Sequence, residues 1–297
     1  MKVAILSDIH GNFPALQAVT TDIETWGADE VIVNGDIVNR GPKPLECWSF
    51  VQERRRDEGW RITRGNHEDY VIKHAHAVPD ADHVGIRAEI NKSSLWTYQQ
   101  LNGSVADLAA LPDVVRLFGK NGRFSSSNNY ELRATHASMR GNRDCVWPAQ
   151  HAVCPTSNDD AVRQQIGTSP PALFVTSHIH LANKRQIGET TVINTGSAGN
   201  HCYGDSRASY VQAVFQNGKW DAEIVRVPYD MAQTERDYHD SGFLTDAGAG
   251  GRLLFHEWKS ALPILTEWRR HYEVEVIAGR MGLETAVSQF LTEQGMI

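Results

Sequence analysis

The sequence has no long hydrophobic run and no closely paired cysteines. No apolar stretch approaches the roughly 20 residues that a transmembrane helix needs. The first apolar run, residues 3–6, is also shorter than the roughly 7–15 residues of a signal-peptide core. The four cysteines form no CxxC pair, and their unequal spacing fits neither a disulfide framework nor a zinc ribbon. These absences predict a cytoplasmic protein with free thiols and no membrane partner.

An excess of basic residues is also absent. The 29 lysine and arginine residues are outnumbered by 36 acidic residues, so the formal net charge is −7. A general nucleic-acid-binding surface is therefore not expected, and a nuclease is disfavoured. A small phosphorylated substrate stays compatible if a local cation meets the phosphate. The 297 residues, 41% of them hydrophobic, show no internal repeat and are enough to bury a sizeable core.

The stretch over residues 3–12 organises the interpretation of the chain. Residues 3–6 are aliphatic and predict a buried strand that delivers Asp8 and His10 at its carboxyl end. In an extended strand, residues i and i+2 project to the same face, so this carboxylate and imidazole are predicted to bind one metal ion. A helix is predicted over 13–26, with Pro14 tolerated in its first turn.

Two more strands end in polar residues. A predicted strand over 30–36 ends in the carboxylate of Asp36, and a short strand over 60–64 leads to Asn66 and His67. Strands that alternate with helices predict a mostly parallel sheet, and ligands bind outside the carboxyl ends of such strands. We therefore expect these polar side chains to meet at one end of the sheet.

The next segment is predicted to be helical, and after it the spacing of hydrophobic residues changes from that of a helix to that of a strand. Residues 67–111 favour helix, and residues 114–118 and 123–126 favour a hairpin around a turn at 119–122. The predicted core anchors of the helical segment are Trp96, Leu101, Leu108 and Leu111.

Histidines follow two strands of the second half. A strand over 130–135 delivers His136, and a strand over 172–177 delivers His178 and His180. Two further hairpins are predicted over 185–194 and 210–227.

Some residues away from these strand ends are candidates for the pocket walls. Residues 138–160 are rich in turn formers and predict a long loop near the site, since loops of that length are usually functional or mobile. His201, Cys202 and Tyr203 are further candidates for lining the pocket. Residues interpreted as surface or packing positions are His74, His76, His83, Trp96 and Trp147.

The last seventy residues are predicted to form a helical extension, 229–297, of a main domain over residues 1–228. The helical pattern is interrupted at 248–251, and Pro263 must kink a helix or begin a new one. A core-facing stripe is predicted at Trp258, Leu262, Leu265 and Trp268. Two alternatives stay open for this extension: a cap over the pocket and an oligomer contact.

The residues at the strand ends form one donor set. It contains two carboxylates, four imidazoles and one amide oxygen: Asp8, His10, Asp36, Asn66, His136, His178 and His180. Mixed nitrogen and oxygen donors suit Mn, Fe, Zn, Ni or Co better than Mg or Ca. Seven donors are too many for one tetrahedral site, but they suit two ions that share a carboxylate.

In order and spacing, these blocks resemble the signature of the calcineurin-type metallophosphoesterases, in particular the compact bacterial and archaeal branch. The resemblance covers residues 1 to about 228. The blocks are Asp8-Ile9-His10, Gly35-Asp36, Gly65-Asn66-His67-Glu68, His136 and Ser177-His178-Ile179-His180.

The resemblance implies an α/β fold in which two mixed β-sheets pack as a sandwich flanked by helices. It also implies two divalent ions, with manganese preferred, and a bridging hydroxide that attacks phosphorus. One ion would be held by Asp8, His10 and His180, and the other by Asn66, His136 and His178, with Asp36 bridging the two.

Two further residues receive roles from the resemblance. His67 would contact the phosphate and protonate the leaving oxygen, and Arg40 would bind the phosphate. Asn39 stands where the eukaryotic-type phosphatases of this family have an aspartate that orients the histidine. This asparagine is expected to accept a hydrogen bond from His67 without the charge of a carboxylate. Ser177 replaces a glycine at a position that binds no metal.

The resulting prediction is a two-metal phosphoesterase that acts on a small phosphorylated substrate. Four substrate classes stay open: a phosphomonoester, a cyclic nucleotide or other phosphodiester, a dinucleoside polyphosphate and a phosphoprotein. Arg40 favours a monoester because arginine pairs well with terminal phosphate oxygens. The competing prediction is a metal-binding scaffold of the same fold without catalysis. The oligomeric state is left open.

Overall fold

The computed structural model describes residues 1–76, 81–101, 103–119 and 130–297. The strands of this part form two five-stranded mixed sheets with helices outside them. The strands are β1 Lys2–Leu6, β2 Glu30–Asn34, β3 Arg61–Thr63, β4 Val114–Phe118, β5 Glu131–Thr135, β6 Leu173–Thr176, β7 Asn183–Ile187, β8 Thr190–Asn194, β9 Ala208–Gln216 and β10 Lys219–Val227.

The helices of the main domain lie between these strands, and a helical region follows residue 230. They are α1 Phe13–Trp26, α2 Pro44–Glu58, α3 Asn66–Ile72, α4 Gly85–Ile90, α5 Lys92–Gln100, α6 Val105–Ala109, α7 Asp159–Ile166, α8 Met231–Asp240, α9 Phe243–Asp246, α10 Gly248–Ser260, α11 Ile264–Trp268, α12 Val274–Ile277 and α13 Leu283–Glu293. A π-helical turn, Arg269–Glu273, joins α11 to α12.

The first sheet has the order β10-β9-β1-β2-β3, and the second has the order β4-β5-β6-β8-β7. In the first sheet β1, β2 and β3 run parallel, and β9 is antiparallel to both of its neighbours; in the second sheet β5, β6 and β8 run parallel and both outer pairs are antiparallel. The predicted fold class, two packed mixed sheets with flanking helices, is therefore confirmed.

The alternation of side chains along β1 explains how the layers pack. Val3 and Ile5 join a core cluster that also contains residues of the second sheet, such as Leu173. Ala4 and Leu6 belong to a different cluster, which contains residues of α1 and α2. Successive strand residues point to opposite faces, so one short strand contributes to the inter-sheet core and to the helix-facing core.

Most predicted elements lie where the pattern placed them. Helix α1 matches its predicted bounds, and strand β2 begins as predicted but ends at Asn34, before Asp36. The predicted strand over 123–126 lies outside the described residues, and β4 pairs antiparallel with β5. Segment 67–111 is helical in several pieces, and its predicted anchors Trp96, Leu101, Leu108 and Leu111 are buried.

Two details of the C-terminal prediction are wrong. The interruption lies one residue earlier than predicted, at Ala247 between α9 and α10, and residues 248–251 form the first turn of α10. A Cβ atom on Gly250 would lie 2.2 Å from the carbonyl oxygen of Ile90, so glycine allows α10 to approach α4 closely. Leu262 is 45% exposed between α10 and α11, while Trp258 and Trp268 are buried. Pro263 directly precedes α11 and so begins a new helix.

In the described part of the chain, no helix combines the length and hydropathy that a membrane span requires. The four cysteines are free thiols, as predicted. The cytoplasmic location and the boundary at residue 228 stay predictions.

Candidate metal centre

The seven predicted ligands come from loops at the carboxyl ends of five strands. Asp8 and His10 follow β1, and Asp36 follows β2. Asn66 opens α3 after β3, His136 follows β5, and His178 and His180 follow β6. Strands of both sheets thus deliver these side chains to one place.

The sequence argument for bringing Asp8 and His10 together is wrong in one respect. Strand β1 ends at Leu6, and both ligand residues have left-handed backbone conformations, with φ of 51° and 49°. They therefore converge through a tight loop and do not share a strand face. Hydrogen bonds from Asp8 N to the oxygen of Gly35 (3.1 Å) and from His10 N to the oxygen of Asp36 (3.0 Å) hold this loop.

The left-handed conformation recurs at three other ligand positions. Asp36, His178 and His180 have φ of 55°, 72° and 56°. Such a conformation costs a non-glycine residue about 1–3 kcal/mol and persists where the surrounding structure enforces it, often at functional sites. The backbone of the site is thus strained in the loops that carry these side chains.

The first group of donors consists of Asp8, His10 and His180. His180 Nε2 lies 3.1 Å from Asp8 Oδ1 and 3.1 Å from His10 Nε2. His10 Nε2 lies 3.7 Å from Asp8 Oδ1. Three side chains thus place one donor atom each around a common point.

The second group consists of Asp36, His136 and His178, with Asn66 beside it. His136 Nε2 lies 3.2 Å from Asp36 Oδ2 and 2.9 Å from Asn66 Oδ1. Asp36 Oδ2 also lies 3.7 Å from His10 Nε2, which belongs to the first group. Asp36 therefore stands between the two groups.

The donor atoms fit divalent cations. Asp8 Oδ1 and Asp36 Oδ2 are buried and make no hydrogen bond of acceptable geometry within the described residues, although imidazole nitrogens lie 3.1 and 3.2 Å away. Buried carboxylate oxygens need a hydrogen bond or a cation to offset the loss of water. The carboxylates, imidazoles and Asn66 amide also form a donor set typical of transition metals.

Comparison with known proteins agrees with this geometry. The family model "Calcineurin-like phosphoesterase" matches residues 1–193. The chain belongs to this family. It is therefore a hydrolase that acts on phosphate esters, and its family uses divalent metals.

Three relatives show how far the similarity extends. An uncharacterized protein of Methanocaldococcus jannaschii is 29% identical over 233 residues, which cover 77% of this chain and 88% of that protein. A symmetrical bis(5′-nucleosyl)-tetraphosphatase of Actinobacillus pleuropneumoniae is 34% identical over 73 residues, only 24% of this phosphoesterase and 26% of the relative. A metallophosphoesterase structure from Sphaerobacter thermophilus shares the fold, with a TM-score of 0.63 at 22% identity, over 88% of this chain and 99% of that one.

Buried charges of both signs shape the electrostatics of the phosphoesterase site. Burial raises the pKa of Asp8, but the neighbouring His180 and His136 outweigh it and bring the value to about 2. Burial opposes protonation of His136, yet Asp36 and Asp8 raise its pKa to about 10. Burial and the charge of His136 lower the pKa of His178 to about 3. The Asp8 carboxylate thus stays ionised, ready to bind a cation.

Glu68 supports the loop that carries Asp36, a role that the sequence analysis missed. Its carboxylate accepts hydrogen bonds from the backbone nitrogens of Asp36, Ile37 and Gly65 at 2.8 Å and of Val38 at 3.3 Å. The signal was present, because an acidic residue three positions after Gly65 has capping-box spacing. Glu68 fixes the ligand loop to the start of α3.

Asn39 contacts His67, but in the opposite sense to the prediction. Asn39 Nδ2 donates to His67 Nδ1 over 2.8 Å, while Asn39 Oδ1 accepts from the backbone nitrogen of Arg40. Burial, followed by the charge of Arg40, lowers the pKa of His67 well below its usual value. The ring is therefore neutral and carries its proton on Nε2.

A cavity of about 510 Å³ opens over the ligand groups. Its walls combine the metal loops, the 138–160 loop and the C-terminal helices, which supports the interpretation of these helices as a cap. Lining residues include Arg40, His67, Tyr70, His83, Arg87, Cys145, Trp147, His178, His180, Cys202, Tyr203, Leu254, Glu257, Leu265 and Arg269.

Three secondary predictions about this cavity need correction. His83 and Trp147 line it, although they were interpreted as a surface and a packing residue. His201 does not line it; its side chain is buried and its Nε2 lies 3.2 Å from the hydroxyl of Tyr229.

Proposed function

We propose that this phosphoesterase hydrolyses a phosphate ester of a small molecule with the help of two divalent transition-metal ions. The observation that carries the proposal is the convergence of two donor groups on either side of Asp36. One ion would be held by Asp8, His10 and His180, and the other by Asn66, His136 and His178, with Asp36 shared.

Two such ions, when bound, neutralise phosphoryl oxygens and lower the pKa of a water molecule enough for it to act as a nucleophile. Manganese is the proposed metal, with Fe, Zn, Ni or Co as alternatives, because availability decides among metals as much as the donors do.

Two residues of this chain would act on the phosphate itself. Arg40 lines the cavity beside the ligand groups and would bind phosphate oxygens through its guanidinium group. His67 would donate a hydrogen bond from Nε2 to a phosphate or leaving-group oxygen, since its Nδ1 already accepts from Asn39. In its neutral state His67 can donate this hydrogen bond but brings no positive charge to the phosphate, so Arg40 would supply that charge.

The cavity supports a small substrate. Its volume of about 510 Å³ lies within the range of roughly 300–1,000 Å³ that is typical of small-molecule sites. The C-terminal helices form part of its wall, so a folded phosphoprotein would have limited access. Phosphomonoesters are the first candidates because of Arg40. Phosphodiesters and dinucleoside polyphosphates come next, the latter because several partial relatives are named as tetraphosphatases.

Hydrolysis by metal-stripped and resupplied protein tests the proposal. The full chain is reloaded with Mn, Ni, Co, Zn or Mg and assayed with p-nitrophenyl phosphate, bis(p-nitrophenyl) phosphate and bis(5′-adenosyl) tetraphosphate. We expect turnover that needs metal and saturates near two ions per chain. Two bound ions without turnover of any of these esters would contradict the proposal and favour the scaffold alternative.

A further inference from the structure

A buried carboxylate from the C-terminal helices reaches the candidate site. Glu257 lies in α10, only 2% of it is exposed, and it is outside the residues 1–193 that match the family. Its Oε1 accepts from Arg40 Nη1 at 2.6 Å and from Asn200 Nδ2 at 3.2 Å. Its Oε2 accepts from the backbone nitrogen of Leu265 at 3.0 Å.

Stability alone does not explain a carboxylate at this position. The face of α10 that carries Glu257 is otherwise apolar and includes Leu253, Leu254 and Trp258. Burying an ion pair costs desolvation energy that the attraction between the charges often fails to repay. A hydrophobic residue would therefore serve the core as well, whereas a carboxylate imposes a definite geometry on its partner.

The partner, Arg40, needs such support. It sits in a loop with φ of 69°, next to Asn39 with φ of 68°. Its carbonyl oxygen accepts from the hydroxyl of Tyr238 in α8 at 3.3 Å, so the C-terminal helices hold its backbone as well as its side chain. Arginine has five N–H donors, and the bond to Glu257 uses Nη1, which leaves donors for a phosphate.

Glu257 is also connected to the first donor group. Asn200 Nδ2, which donates to Glu257, lies 3.3 Å from Nδ1 of His180. One carboxylate thus links the predicted phosphate contact with a predicted metal ligand.

We propose that Glu257 is a positioning residue that holds Arg40 in place for phosphate binding. The inference rests on the proposed function, in which Arg40 contacts the phosphate. The helical region after residue 230 would then complete the site as well as cover it.

A double-mutant cycle tests this role. The variants are E257A, E257Q, R40A and the double variant R40A/E257A. Each is loaded with metal, checked for metal content and thermal unfolding, and titrated calorimetrically with inorganic phosphate; kcat/KM with p-nitrophenyl phosphate is measured in parallel. The control is E235Q in α8, which removes the charge of an exposed carboxylate that pairs with Lys259 of α10.

We expect E257A to weaken phosphate binding and kcat/KM about tenfold in the presence of Arg40 and to have no further effect in the R40A background. E257Q should stay within about threefold of the wild type, because its amide oxygen still accepts from Arg40 Nη1. E235Q should match the wild type.

Two results would overturn the inference: equal losses from E257A in both backgrounds, or tighter phosphate binding by E257A. The second would mean that Glu257 only neutralises Arg40. If E257A fails to fold, E257Q decides. A loss of phosphate affinity well beyond threefold in E257Q would then overturn the inference. In a separate outcome, the four proteins of the cycle show the expected coupling in phosphate binding while the wild type has no metal-dependent turnover. That result would overturn the proposed function and leave the role of Glu257 intact.

Discussion

Asn39 Nδ2 donates a hydrogen bond to His67 Nδ1 over 2.8 Å, while Asn39 Oδ1 accepts from the backbone nitrogen of Arg40. An amide nitrogen can only donate, so this contact specifies the tautomer of His67. The side chain of Asn39 thus couples the two residues that we propose to contact the phosphate.

Asp in place of Asn39 should change the role of His67. A carboxylate would accept from Nδ1 and could stabilise the imidazolium form, which makes His67 a better proton donor. For alkyl phosphates, which have poor leaving groups, we expect kcat of N39D to be unchanged or raised by up to about tenfold. The control is p-nitrophenyl phosphate, whose leaving group needs little protonation. A large loss with alkyl phosphates would contradict the position assigned to this loop.

Removal of the His136 side chain should prevent the second donor group from holding its metal ion. We expect H136A to bind about one metal ion fewer per chain and to keep less than about 1% of the turnover, because the loss of a ligand leaves Asp36 and Asn66 without their partner. Metal content by mass spectrometry and initial rates measure this. H271A, which removes a 66% exposed histidine, is the matched control and should behave as the wild type. Full metal content in H136A would refute the assignment.

Loss of Glu68 should loosen the loop that carries Asp36. The E68A variant leaves four backbone N–H groups without their acceptor, and supporting residues of this kind typically contribute about 10- to 100-fold to metal affinity. Competition with a chelator measures the affinity. E189A, at an exposed turn, is the control. An unchanged affinity in E68A would show that the loop holds its shape without this carboxylate.

His201 should make the folded state sensitive to acid. Burial, followed by the charge of His180, lowers its pKa to about 3, whereas in the unfolded chain it is about 6.5. The unfolded state therefore binds the proton more readily, and stability is lost as the pH falls below about 6.5. The free energy of unfolding should fall between pH 7.5 and pH 5.5 in the wild type. In H201Q this fall should be smaller by about 1.4 kcal/mol. Urea unfolding at both pH values measures this; equal losses would contradict the burial of a neutral imidazole.

Gly250 should be required for the contact between α10 and α4. A Cβ atom there would lie 2.2 Å from the carbonyl oxygen of Ile90, so G250A should destabilise the fold by about 2 kcal/mol. G282A is the control, because its Cβ would have no neighbour closer than 3.7 Å. Thermal unfolding compares the two variants. Equal stability would mean that the two helices do not approach as closely as described.

Local sequence patterns are enough to predict the secondary-structure elements and the kind of chemistry. Helix α1 could be predicted to its ends, since Asn12 caps its first turn and Gly27 takes the left-handed conformation after its last. The carboxylates, imidazoles and amide that follow successive predicted strands indicate a metal centre from the sequence alone. These features depend on neighbours within a few positions, which a linear pattern records.

The tertiary structure decided the details that involve distant residues. Arg40 and Glu257 are 217 positions apart, and no local pattern relates them. The left-handed backbone at Asp8 and His10, the sense of the hydrogen bond between Asn39 and His67, and the use of glycines inside α10 likewise follow from packing. Local propensities are weak beside the constraints of a packed core, so these contacts depend on the tertiary arrangement.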